Sequence, residues 1–147
     1  MLISRLMLLV LLILFTGITS PQAAVACELP KDWMRMKTAA TPQNNKVPHE
    51  VSAALRIIPK TIKVGEPFSV EVIICGLAYD AVDRTSIDAS MPAHKHGMNY
   101  RPVVKKLRNN IFRGENMLFH MPGVWRIDFA AFQNGKTSRL MLEVDVK

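Results

Sequence analysis

Three of the four histidines and three of the nine methionines fall in two short stretches, Met91-Pro92-Ala93-His94-Lys95-His96-Gly97-Met98-Asn99-Tyr100 and His120-Met121. Imidazole nitrogen together with thioether sulfur is a soft to borderline donor set, suited to copper and above all to Cu(I). Zinc is a poorer match, because thioether is a weak zinc ligand and the first stretch holds neither a cysteine nor a carboxylate. In an extended loop His94, His96 and Met98 stand two apart and project to one side. His94, His96, Met98, His120 and Met121 are therefore the candidate metal ligands.

Each of these residues also has a plainer reading. Met91 continues an inward strand face and reads as core. Met121, beside Pro122-Gly123, can serve as an apolar plug for the end of the fold. An exposed His-x-His pair is often only solvated, and His120 can be held by a loop carbonyl. Met117 reads as core, His49 as a solvated loop residue, Trp33 as a plug for the N-terminal segment, and Trp125 as structural. Motifs for catalysis are missing: there is no Gly-rich phosphate loop, nucleophile elbow or zinc-protease signature, and the acids stand singly. A binding protein is expected, not an enzyme.

The elements that must position these side chains read as β-strands. From about residue 52 the apolar residues recur with period two. Phe68, Val70, Val72 and Ile74 alternate with Ser69, Glu71 and Ile73; Trp125, Ile127, Phe129 and Ala131 alternate with Arg126, Asp128 and Ala130. Strands are expected near 52–58, 67–75, 84–91, 101–107, 111–119, 124–132 and 138–146. Turns at Asn109-Asn110 and Asn134-Gly135 and a corner at Pro122-Gly123 separate them. Seven short strands in one domain spanning 52–147 predict an all-β, immunoglobulin-like antiparallel β-sandwich. If each strand reverses direction, the stretch at 92–100 and the corner at 120–123 emerge at the same end, so that the two groups of candidate ligands meet. Residues 27–51 read as an irregular extension, with Pro30, Pro42, Asn44, Asn45 and Pro48 as breakers and one helical turn over Asp32–Met36.

Length and charge narrow the function further. A chain of 147 residues accommodates one domain of ordinary size. Residues 1–26 read as a secretory signal peptide: Arg5 is its positive charge, Leu6–Phe15 an apolar run, and Ala24-Val25-Ala26 a small-x-small cleavage site. An uncleaved membrane anchor is the alternative, though the run falls short of a spanning helix. Export to the periplasm or beyond places Cys27 and Cys75, the only cysteines, in an oxidising compartment that favours a disulfide between them. Ala24-Val25-Ala26-Cys27 also resembles a lipobox, so lipidation of Cys27, with peripheral or lipid-anchored membrane association, and two free thiols stay open. The net charge of +7 includes Lys105, Lys106, Arg108, Arg113, Lys136 and Arg139 around two turns, which read by default as a solvated rim and otherwise as a surface for anionic lipid or an acidic partner. Nucleic acid is not expected as the partner of an exported protein.

At Met91-Pro92-x-His94-x-His96-Gly97-Met98, followed by His120-Met121-Pro122-Gly123-x-Trp125, the chain resembles the YtkA-like family. These are small exported bacterial β-sandwich domains whose pattern includes Met-Pro-x-His-x-His-Gly-Met and a later Met-Pro-Gly-x-Trp. The resemblance covers about residues 60 to 146. It implies an immunoglobulin-like fold and copper handling in the cell envelope, with His94, His96, Met98, His120 and Met121 as ligands. The cysteines and the N-terminal extension lie outside the pattern. The expected function is a copper carrier or metallochaperone, binding Cu(I) or Cu(II) and passing it to an envelope copper protein or an oxidase-assembly partner. The alternative is a non-catalytic assembly module that docks on an envelope complex through the same loop; a small-ligand binding domain is a third reading.

Overall fold

A computed structural model of the chain describes residues 27–39, 51–108 and 110–147. The leader expected over residues 1–26, the breakers Pro42, Asn44, Asn45 and Pro48, together with His49 and Asn109, lie outside the described residues. The described residues form ten strands: β1 (Met34–Arg35), β2 (Lys37–Thr38), β3 (Ser52–Ile58), β4 (Pro67–Cys75), β5 (Arg84–Met91), β6 (His96–Gly97), β7 (Val103–Lys106), β8 (Ile111–Leu118), β9 (Gly123–Gln133) and β10 (Lys136–Val146). They make two antiparallel sheets of five strands, in the orders β1-β3-β4-β8-β7 and β2-β10-β9-β5-β6. The seven long strands divide four and three in the order of an immunoglobulin constant-type sandwich. No helix among the described residues is long and apolar enough to cross a membrane.

The period-two pattern produces this arrangement because each strand has one face to bury. Leu55, Phe68, Val70, Val72, Ile74 and Phe112 point from the first sheet into the core, and Ile87, Ala89, Met91, Trp125, Ile127, Phe129 and Leu140 meet them from the second. Met91 is 2% exposed and Met117 is fully buried, so both are core residues as expected. Gly135 and Asn134 close the β9–β10 hairpin with positive φ, the conformation that an Asn-Gly turn tolerates.

The N-terminal segment differs from the expected irregular extension with its helical turn. After a turn at residues 31–32, β1 pairs with β3 and β2 pairs with β10. A strand is favoured over a single helical turn here because the edges of both sheets offer backbone partners that an isolated turn lacks. One segment thus adds to both sheets in succession, and Met36, between the two pairings, is buried in the main core. Trp33 is a plug, as its sequence context suggests: with Ala54 and Ile73 it forms a second apolar cluster on the outer face of the first sheet. Arg56 lies over its ring, 4.6 Å from the centroid. Cys27 and Cys75 stand at disulfide distance, with Cα atoms 5.5 Å apart, and fasten this segment to the end of β4.

Beside Trp33, three charged residues align across adjacent strands, Arg56 opposite Glu71 and Glu71 opposite Arg113. Glu71 is 2% exposed. Burial pushes its carboxyl up, but hydrogen bonds from Arg113 and Arg56, with their charges, prevail and hold it below its ordinary value. Of the basic residues expected to line a free surface, Arg113 is thus bound to Glu71, and Lys105 pairs with Glu115 at 2.6 Å.

Candidate metal centre

The first group of candidate ligands is positioned by a reversal at the end of β5. Pro92–His94 make one 3-10 turn, helped by a proline whose φ is already suitable. Lys95 then adopts the left-handed conformation, φ 55°, and turns the chain back. His96 and Gly97 pair with Met91 and Ser90, and the Met98 amide donates to the Ala89 carbonyl at 3.1 Å. The stretch is therefore not the extended loop anticipated from its sequence. The free edge of β5 supplies backbone partners, and β6 takes them. Because directly opposed residues share a face, His96 lies on the inward side with Met91, and Met98 with Ala89. Glycine eases the close approach at position 97, where a Cβ would stand 3.1 Å from the Ala89 carbonyl oxygen. At the end of the stretch, the Tyr100 hydroxyl donates to the Asn116 carbonyl at 2.5 Å, and burial pushes the phenol above its ordinary value.

The second group sits on the corner that carries the chain from β8 in the first sheet to β9 in the second. Phe119 is fully buried, and its carbonyl accepts from the Gly65 amide at 2.8 Å. Trp125, also fully buried, donates its indole Nε1–H to the Met121 carbonyl at 3.0 Å and stacks on Phe119, ring centroids 4.2 Å apart and 6° from parallel. Gly123 turns the corner with φ +123°, and a Cβ at that position would stand 2.5 Å from Met91 Cε.

The two groups meet at one end of the sandwich. The His96 ring lies 5.8 Å from that of His94 and 5.2 Å from that of His120, centroid to centroid. His96 and His120 both stand at 79° to the indole of Trp125, at 5.9 and 5.4 Å. His94 and His120 are exposed, whereas His96, Met98 and Met121 are half-buried. Met98 and Met121 pack against the main core. Nε2 of His96 is buried without a hydrogen-bond partner, and no other side-chain nitrogen or oxygen among the described residues shares that condition. Leaving such an atom unsatisfied costs about 1–3 kcal/mol, so a partner placed there is favoured.

The donor set is incomplete by nitrogen and oxygen alone. Among the described residues there is no group of three or more His, Cys, Asp or Glu side chains arranged to hold a metal ion. The contacts of Trp125 with His96 and His120 are what the sequence does not disclose: its position after a glycine corner reads as structural, and it is buried accordingly. No family model matches the chain, and no curated protein or solved structure matches it either.

Proposed function

We propose that this is an exported copper carrier, taking up a copper ion among His94, His96, His120 and the thioethers of Met98 and Met121. The observation that carries the reading is the unpartnered Nε2 of half-buried His96, flanked by two further imidazoles within 6 Å, centroid to centroid. A buried imidazole nitrogen with no hydrogen bond lacks a partner, and in the Nδ1–H tautomer its lone pair suits a soft or borderline cation together with thioether sulfur. His94 and His120 are exposed, which suits an ion that is acquired from and released to another protein. Delivery to a copper protein or an oxidase under assembly in the cell envelope follows from the leader-like first 26 residues and from the YtkA-like motif. Kinship with that family is proposed on the residues of the motif alone. Copper titration of the purified protein tests the reading: about one ion bound per chain supports it, and no binding refutes it.

A further inference from the structure

We infer that Trp125 is the specificity-determining residue of this site, its indole walling off one side of the donors so that the bound ion is Cu(I) and not Cu(II) or Zn(II). The inference rests on the copper reading above and goes beyond it, to oxidation state and to a residue that supplies no conventional ligand atom.

Three of the five candidate ligands touch this one side chain. The rings of His96 and His120 stand at 79° to the indole plane, and the Met121 carbonyl accepts from Nε1–H. The two imidazoles are 5.2 Å apart and each lies within 6 Å of the indole centroid. An ion bridging them falls within roughly 6 Å of the indole centroid, the range in which a cation over the ring face is attracted to it. The ring is also held in place. Phe119 stacks on it, and Phe119 in turn meets Phe68 edge-on at 4.8 Å. Trp125 is fully buried, so neither a water molecule nor a side chain reaches a metal from the direction it occupies.

Coordination preference then decides which ion fits. Zn(II) takes four donors in a tetrahedron, and Cu(II) prefers a tetragonal set of nitrogen and oxygen. The described residues place no carboxylate with the imidazoles and no group of three His, Cys, Asp or Glu donors. His94 is exposed and forms no three-donor group with His96 and His120, so those two imidazoles with a thioether, closed on one side by the indole, suit a soft ion of low coordination number.

The experiment is a set of competition titrations with Cu(I), Cu(II) and Zn(II) on wild type, Trp125→Phe and Trp125→Leu, joined to indole spectroscopy. Removing the aromatic wall in Trp125→Leu is expected to lower Cu(I) affinity at least tenfold while leaving Cu(II) and Zn(II) affinity unchanged or raised; Trp125→Phe falls between. Ag(I), a redox-inert probe, is expected to perturb the absorption and emission of Trp125 in a Trp33→Phe background, where it is the one remaining indole. Equal losses for all three ions would reduce Trp125 to a structural role and overturn the inference. So would stoichiometric Ag(I) binding that leaves the indole spectrum unchanged, a readout that survives even if Trp125→Leu fails to fold. Wild type that binds Cu(I) without dependence on Trp125 sinks this inference alone, whereas wild type that binds no copper sinks the carrier reading with it.

Discussion

The imidazole of His96 lies 5.2 Å from that of His120, although one belongs to a two-residue strand of the second sheet and the other to the corner leaving the first. The site therefore spans both sheets of the sandwich. Its geometry depends on how the sheets are joined, not on any single loop, and that dependence makes residues at the junction informative to change.

Gly123 is the clearest of these. At φ +123° an L side chain is strained, and a Cβ would press on Met91 Cε. Gly123→Ala is expected to cost about 1–3 kcal/mol of stability and to weaken copper binding several-fold by displacing His120 and Met121. Denaturant unfolding and metal titration of the one variant check both effects. Unchanged stability together with unchanged affinity would show that the corner does not set the site.

Glu71 gives a pH prediction that is independent of metal. Its carboxyl is held below its ordinary value in the folded state, with burial opposed and outweighed by Arg113 and Arg56. A depressed folded value means that the stabilisation is fully present above the unfolded value, about 4.5, and is lost as pH falls through the folded value. Glu71→Gln removes the charge that both guanidiniums share. Because the two arginine side chains are 47% and 37% exposed, solvent screens part of the loss, and about 2 kcal/mol is expected at pH 7. Urea unfolding as a function of pH should show the gap between wild type and variant narrowing below about pH 4.5. A gap that stays constant would mean that the carboxylate charge contributes nothing.

Cys27 and Cys75 are separated by 48 residues, and closing a loop of that length restricts the unfolded chain by about 4 kcal/mol on loop-closure entropy. Protein recovered under oxidising conditions should have an intact mass two hydrogens below the dithiol form, and reduction should lower its Tm. A diacylglyceryl mass on Cys27 would contradict the disulfide and favour the lipoprotein alternative.

How far the sequence discloses this molecule depends on the length of each element. The seven long strands show themselves because each buries one face, so that residues such as Phe68, Val70 and Val72 must alternate with others. Strands β1, β2 and β6 have two residues each, too few for a period, and they exist because a neighbouring strand leaves an edge unpaired. The meeting of His96 with His120 follows from counting strand reversals. The contact of both with Trp125 does not, since the motif that includes Trp125 gives only its spacing from His120, and its place after a glycine corner reads as structural. Glu71 reads as a polar residue on an outward face, and its burial becomes legible only when cross-strand register brings Arg56 and Arg113 to either side.

A Cu(I) competition titration of wild type beside His94→Ala/His96→Ala, with Met98→Ala as a third sample, tests the central claim most directly. The carrier reading expects about one Cu(I) per wild-type chain and an affinity reduced at least a hundredfold in the double histidine variant. It expects a smaller loss for Met98→Ala and weaker binding on acidification, because protons compete for imidazole. If the double variant binds Cu(I) as tightly as wild type, this site is wrong, and a docking module that uses the His-Met loop as a protein contact becomes the better account.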